Sequence, residues 1–370
     1  MKVAIAGGGT AGHVNPAIAL ARQLQKAGPA QTISFIGTAT GAEATLVPGA
    51  GFELSAIDVL GFDRSKPMSF PATGARAGRA IKQARSALTD SGADVVVGMG
   101  GYVSLPVCVA ARSLRRPVVL HEQNIVLGLA NKVVRPWARA VAVSWAETMR
   151  QAGRRAVLTG NPVAGELVGF DAAEVRARAI ARWDLDPARK TLLVFGGSQG
   201  ARRINEAAAG LARLWKGETD RQVVHVAGSP AYGAVKEEVE QHLNPNGALI
   251  YRAIDYLHGM LEAYAVADLA LCRGGASTVA ELTAVGLPAI IVPYPHHRDR
   301  QQERHARVLE DAGAAVLLPD AETTTYRVAG EVERLLTDPA ALVSMGVESA
   351  QLGHPDAAGR LARLVVASAP

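Results

Sequence analysis

The sequence predicts an α/β protein made of two doubly wound, parallel-sheet domains, and three observations carry that expectation. A short apolar strand at residues 3–6 runs into Gly7-Gly8-Gly9-Thr10-Ala11-Gly12-His13 and then into a helical pattern at 18–24. A second strand, at 191–195, enters Gly196-Gly197-Ser198-Gln199-Gly200 in the same way about half a chain later. Apolar strands alternate with helical stretches throughout, which is the pattern of a parallel sheet covered by helices on both faces. Glycines in such turns let backbone approach a ligand, and the helix that follows offers unpaired N–H groups to anionic or polar atoms. Two such loops place the expected ligand between the domains.

In the first half the strands fall at 3–6, 32–36, 94–97, 117–120 and 140–143. In the second half they fall at 191–195, 222–226, 249–252, 269–271, 289–292 and 314–318. A short strand running out in Thr159-Gly160-Asn161-Pro162 sets the expected boundary, giving domains at 1–162 and 163–339. A charged helical stretch at 172–183 follows that boundary. The last helical stretch, about 340–367, has no further strand after it and is expected to pack back on the first domain.

A length of 370 residues suits two ordinary domains, and 49% hydrophobic residues supply both cores. The cysteines, Cys108 and Cys272, each lie in an apolar segment, so neither a disulfide framework nor a cysteine metal site is expected and a reducing cytoplasm is the natural setting. The first strand meets its glycine loop too early for a signal peptide. No apolar run approaches the roughly 18 residues needed to span a bilayer, so a soluble or peripheral protein is expected. The formal charge is +5, from 39 basic and 34 acidic residues, and only 5% of residues are aromatic, without basic interleaving. Nucleic acid is therefore a poor fit, whereas phosphate ligands or an anionic membrane surface suit the modest excess.

A nicotinamide-dinucleotide site needs an acid at the end of the second strand to hold ribose. That strand runs out in Phe35-Ile36-Gly37-Thr38-Ala39-Thr40, and Glu43 follows only after Gly41, so the oxidoreductase reading loses its most specific support. His13 stands at the mouth of the strand ends. A neutral imidazole there could take a proton from a hydroxyl, or could merely hydrogen-bond the helix start. Polar residues also follow the strands in Gly98-Met99-Gly100-Gly101-Tyr102-Val103-Ser104 and His121-Glu122-Gln123-Asn124, with no metal-ligand spacing around them. In Cys272-Arg273-Gly274-Gly275-Ala276-Ser277-Thr278-Val279-Ala280-Glu281, Thr278 and Glu281 have capping-box spacing. The alternative gives the helix-start amides to a diphosphate and Glu281 to two vicinal ribose hydroxyls. Gln301 and Gln302 lie in a polar turn after a strand and could read sugar hydroxyls.

Taken in order, GGGTAGHVNP (7–16), GMGGYVSLP (98–106), HEQN (121–124), GGSQGA (196–201), CRGGASTVAE (272–281) and DRQQ (299–302) resemble the MurG family of glycosyltransferases over nearly the whole chain. That family moves N-acetylglucosamine from UDP-N-acetylglucosamine to an undecaprenyl-pyrophosphate-linked muramyl pentapeptide. The resemblance implies a GT-B fold, two Rossmann-like domains facing a central cleft, with the acceptor on the first domain and the donor on the second. It places Thr10, Ala11, Gly12 and Asn124 against the donor and Ser198 by the diphosphate. Ile254 reads uracil through its backbone, Ala276, Ser277, Thr278, Val279, Ala280 and Glu281 hold diphosphate and ribose, and Gln301 and Gln302 read the sugar. Tyr102 and Ser104 are acceptor-side candidates. An arginine common in the family after Asn161-Pro162-Val163 is Ala164 here, with Arg202 a neighbouring substitute, and Ala11 stands where glycine is usual, a change tolerated at negative φ.

Inversion at the anomeric carbon needs a base for the acceptor 4-hydroxyl, and His13 is the first candidate, ahead of Glu122. Charge on the departing UDP would fall on the Gly274-Gly275 helix start and Ser198, so no cofactor is implied and a divalent ion need not be obligatory. The Asp-x-Asp at 184–186 reads as a turn. Leu60, Phe62, Met68 and Phe70 precede Arg76, Arg79, Lys82 and Arg85, a combination that suits the cytoplasmic face of an anionic membrane as well as an ordinary loop and basic helix. The competing functions are a UDP-sugar 2-epimerase or diacylglycerol glycosyltransferase of the same fold, and a non-catalytic nucleotide-sugar-binding membrane protein.

Overall fold

Successive residues of the first strand are buried in opposite apolar layers, Val3 and Ile5 on one face and Ala4 and Ala6 on the other. A strand covered on both sides has no polar face, which is why it reads as a continuous apolar run rather than an alternation. The computed structural model describes residues 1–28, 31–59, 70–197, 200–243, 248–296 and 299–370. Its chain forms two units, the first comprising Met1–Gly165 with His354–Pro370 and the second Glu166–Gly353.

The first unit is built on β1 (Lys2–Ala6), β2 (Thr32–Gly37), β3 (Glu53–Ala56), β4 (Val95–Gly98), β5 (Val118–Glu122), β6 (Ala140–Val143) and β7 (Ala156–Leu158). They form one parallel sheet in the order β3-β2-β1-β4-β5-β6-β7. The sequence reading did not contain β3. It is an edge strand with exposed and half-buried residues, so it carries no apolar run to signal it. The second unit holds β8 (Lys190–Phe195), β9 (Arg221–Val226), β10 (Ile250–Ile254), β11 (Leu269–Cys272), β12 (Ala289–Ile291) and β13 (Ala315–Leu317), parallel in the order β10-β9-β8-β11-β12-β13. In each sheet the strand order reverses once, between β1 and β4 and between β8 and β11. An open α/β sheet receives its ligand at that switch, beyond the carboxyl ends of the strands. All four glycine turns of the sequence follow one of these four strands.

The stretch 340–367 divides. The helix Pro339–Leu352 stays with the second unit, while the helix Ala357–Ser368 puts Leu361, Ala362 and Val365 into the layer that contains Val3, Ile5, Leu20 and Leu24 of the first. The break comes at Gly353, where a methyl group would lie 2.4 Å from the Thr283 carbonyl oxygen. The returning chain then stacks His354 on Gly160, whose φ of +83° and 2.3 Å clearance from His354 Cβ admit only glycine.

Candidate active site

In the first unit the switch is closed by two glycine turns. Thr10 is extended and its carbonyl accepts His13 N–H at 3.1 Å and Val14 N–H at 3.3 Å, starting the helix Ala11–Ala27. Ala11 is therefore helical, and its methyl fits where the family has glycine. After β4, Gly100 and Gly101 take φ of +87° and +74° ahead of the helix Gly101–Ser113. The His13 ring lies along these two residues. A methyl built on Gly100 would meet His13 Cε1 at 3.2 Å and Nδ1 at 3.3 Å, and one on Gly101 would meet Cδ2 at 3.4 Å. His13 Nδ1 and Gln123 Oε1 flank Gly100, both buried and without a hydrogen-bond partner.

Three expectations on this side change. Ser104 is 1% exposed, and its hydroxyl is shared between Gly100 O at 2.6 Å and Ala6 O at 2.9 Å. It ties the β4 turn to the end of β1 and does not face an acceptor. Glu122 is 2% exposed and accepts from Asn124 N, Asn124 Nδ2, Gly128 N and Asn131 Nδ2 at 2.7–3.2 Å. A carboxylate has about four lone-pair sites. All are occupied by these four donors, which gather the loop around the Glu122 carboxylate. The Asn124 side chain is correspondingly held by Glu122. His121 is fully buried with Nε2 3.1 Å from Gly160 O, and burial pushes its pKa down to about 4. Tyr102 remains half-buried beside Gly9.

The first glycine turn also has a member that the motif did not announce. Gly9 N–H donates to Glu43 Oε2 at 2.8 Å. An amide that a dinucleotide site would turn towards a phosphate is here occupied by a carboxylate of the protein.

In the second unit Gly196 and Gly197 follow β8, while Ser198 falls outside the described residues. The turn is held from behind. Asn205 Nδ2 donates to Ala227 O at 2.9 Å, and Asn205 Oδ1 faces His225 Nε2, whose Nδ1 lies 2.8 Å from the Tyr251 hydroxyl. The Ile254 carbonyl accepts Ala227 N–H at 2.9 Å and keeps a second lone pair. After β11 the helix Ala276–Val285 begins at Gly275 with no side chain capping it. Thr278 and Glu281 therefore do not form the capping box that their spacing allows, and Ser277 Oγ is buried without a partner. Val279 is in the core, and Ala280 is half-buried beside it. The Tyr264 hydroxyl donates to Glu281 Oε2 at 2.7 Å. Burial, with Glu166 nearby, pushes the Glu281 pKa up to about 7 against the lowering effect of that hydrogen bond.

The helix Gln301–Asp311 packs on the same turn through His305, Nδ1 lying 3.0 Å from Gly274 O. Gln301 Nε2 donates to Asp299 Oδ2, and Gln302 Oε1 accepts Tyr294 N–H, both at 2.9 Å. Arg202 is exposed and paired with Glu206 at 3.1 Å. Asp184 and Asp186 lie in a turn in which Asp186 binds Arg189. Among the described residues no three acidic, histidine or cysteine side chains gather as metal ligands, and no helix is long and apolar enough to cross a membrane. Residues 60–69 of the expected membrane face lie outside the described residues, as does the side chain of Phe70. Of the basic residues beyond it, Arg76 and Arg79 engage Asp58, and Arg85 donates to Ser113 Oγ.

Comparison with known proteins decides the family. Residues 3–143 match the glycosyltransferase family 28 N-terminal domain and residues 191–361 the glycosyltransferase family 28 C-terminal domain. A Nocardioides protein named UDP-N-acetylglucosamine--N-acetylmuramyl-(pentapeptide) pyrophosphoryl-undecaprenol N-acetylglucosamine transferase is 42% identical, covering 99% of this chain and 98% of its own. This chain belongs to glycosyltransferase family 28, and within it to the MurG proteins. A relative of the same name from Halothermothrix orenii is 38% identical with the same coverage. The crystal structure of Acinetobacter baumannii MurG superposes with a TM-score of 0.76 at 27% identity, covering 99% of both chains. Two parallel-sheet units carrying the two family 28 domains are the GT-B fold.

The buried histidines are expected to make this family 28 chain less stable in acid. Burial pushes the pKa of His121 and His305 down to about 4 and that of His225 to about 3. Below about pH 6.5 the unfolded chain therefore holds about three imidazole protons that the folded chain does not. Glu281 opposes them with one, since its folded pKa is raised and it stays protonated up to about 7. The unfolded state still binds more protons, so stability falls with pH across this window. We expect the unfolding free energy from urea titration to be lower at pH 5 than at pH 7 by on the order of 2 kcal/mol. A flat profile would show that these imidazoles are protonated in the folded protein.

Proposed function

We propose that this protein is the inverting glycosyltransferase that moves N-acetylglucosamine from UDP-N-acetylglucosamine to the 4-hydroxyl of undecaprenyl-pyrophosphoryl-N-acetylmuramyl pentapeptide in peptidoglycan synthesis. The observation that carries the reading is the near full-length identity to relatives of that name. The glycine turn Gly274-Gly275 at a helix start, with Glu281 in the following turns of the same helix, supports the donor assignment.

The first unit takes the acceptor and the second the UDP-sugar. His13 accepts the proton of the 4-hydroxyl as its oxygen attacks the anomeric carbon, and the bond to UDP breaks on the opposite side. The charge that develops on the diphosphate meets the amides of Ala276, Ser277 and Thr278. Ser198 adds a contact there. Glu281 accepts from the ribose hydroxyls, Ile254 reads the uracil, and Gln301 and Gln302 read the sugar. Thr10, Ala11, Gly12 and Asn124 are assigned further donor contacts, and Tyr102 a contact with the muramyl group.

Incubation with UDP-N-acetylglucosamine and the lipid-linked acceptor should yield a disaccharide-bearing lipid and one UDP per transfer. Conversion of the donor to its 2-epimer, or binding without turnover, would overturn the assignment. The membrane reading places the protein at the cytoplasmic face, where an apolar and basic segment meets anionic lipid. Replacing Phe62, Met68 and Phe70 by serine should release the protein from anionic vesicles and leave turnover of a short-chain, water-soluble acceptor intact. Equal loss on both acceptors would count against membrane contact.

A further inference from the structure

The first glycine turn is organised around a buried carboxylate to which the mechanism above gives no role. Glu43 has no exposed surface. Its Oε2 accepts Gly9 N–H at 2.8 Å, and its Oε1 accepts Thr38 N–H at 2.9 Å and the Thr38 hydroxyl at 2.7 Å. Burial raises its pKa, but the hydrogen bonds from Thr38 and Gly9 outweigh that effect and hold the group below the ordinary carboxylate value. Three glycines make room for it. A methyl on Gly8 would sit 2.3 Å from Glu43 Oε1, one on Gly41 2.2 Å from Oε2, and one on Gly37 2.6 Å from Cγ.

The opposite side of the turn is gripped as well. Gly9 has φ of +89°, and a methyl there would lie 2.9 Å from Tyr102 Cε1, while one on Gly101 would lie 2.8 Å from Gly8 O. The turn is thus clamped between Glu43, at the start of the helix Glu43–Gly49 that follows β2, and Tyr102 with Gly101 beyond β4. One residue past the clamp, the Thr10 carbonyl takes the His13 amide and starts the helix that presents the imidazole.

We propose that Glu43 is a positioning residue for the transfer reaction, its carboxylate fixing the Gly9 amide so that the His13 ring is held against Gly100 and Gly101. The proposal rests on the reading of His13 as the base. A displacement of about 1 Å at a reacting group costs up to about 100-fold in rate, so a clamp four residues before that group is expected to act on kcat.

Steady-state kinetics of E43Q, T38V and H13A, singly and with E43Q and H13A combined, test it. The glutamine of E43Q has the shape of Glu43 but must turn an N–H towards an amide or hydroxyl donor. It should lower kcat by about 10- to 100-fold and leave the KM for UDP-N-acetylglucosamine within about twofold. T38V keeps the Gly9 contact and should lower kcat in the same sense by less. Added to H13A, E43Q should cost nothing further, because the two act as one unit. Parental kcat in E43Q overturns the proposal, as does a loss that multiplies in full with that of H13A or a donor KM that rises as steeply as kcat falls. Should E43Q fail to fold by circular dichroism, T38V decides on the same readouts. Parental turnover of H13A would instead remove the base reading, and a kcat loss in E43Q would then still assign Glu43 to positioning the turn.

Discussion

His13→Ala is expected to lower kcat by about 100- to 10,000-fold while the KM for UDP-N-acetylglucosamine changes less than about twofold, the range that general-base catalysis contributes. The two glycines after β4, Gly100 and Gly101, set where the imidazole lies. Only left-handed backbone without a β-carbon leaves the space in which the imidazole lies, so the ring is held by sterics as well as by its helix. Its Nδ1 is buried without a partner beside Gly100, which leaves the other nitrogen as the one to reach a substrate. His13→Gln keeps a hydrogen-bonding group and loses basicity, so it should be nearly as slow. Near-parental turnover in His13→Gln would reduce the imidazole to a hydrogen-bond donor, and with Glu122 saturated by four donors the proton would then have to leave through water.

Glu281→Ala is expected to raise the KM for the UDP-sugar by about 10- to 100-fold and to leave that for the lipid acceptor unchanged, the loss of charge-assisted hydrogen bonds being worth about 1.5–3 kcal/mol. Tyr264 gives the carboxylate one fixed donor and leaves its remaining lone pairs to accept from two hydroxyls. Ionisation matters too. With burial pushing its pKa up to about 7, the free protein carries Glu281 partly protonated at pH 6, and a protonated carboxyl accepts poorly from hydroxyls. Donor affinity should therefore rise between pH 6 and pH 8, and Glu281→Gln should abolish that rise. If donor titrations of Glu281→Ala and parent superimpose, the carboxylate is only a partner for Tyr264.

The strands β1, β4, β8 and β11 were legible because doubly covered strands are uninterrupted apolar runs and each leads into a glycine turn. These four strands bracket both switches, so the place of the site could be read without any contact being known. The edge strand β3 was not legible, since Glu53 and its exposed neighbours carry no periodic apolar signal. The chemistry of single residues was harder. Glu122 reads as a second candidate base, yet Asn131, nine positions on and unremarkable in sequence, supplies one of the four donors that occupy its carboxylate. Glu43 lies 34 positions from Gly9, and no spacing rule links them. The signal available was the three glycines at 37, 41 and 8, which surround a side chain larger than the sequence suggests. Of the two readings that the spacing of Thr278 and Glu281 left open, the capping box is not formed, because the helix begins two residues before Thr278.

The helix Ala357–Ser368 completes a layer of the first unit only after the whole second unit has been translated. At about 5–20 residues per second, the roughly 190 residues of Glu166–Gly353 take the ribosome about 10 to 40 s. Throughout that interval the nascent sheet of the first unit lacks Leu361, Ala362 and Val365, and Val3, Ile5 and Leu24 are left short of neighbours. The later unit, whose sequence is continuous, can finish first. Birth order is thereby inverted, and the earlier unit keeps an incomplete apolar layer until the chain comes back.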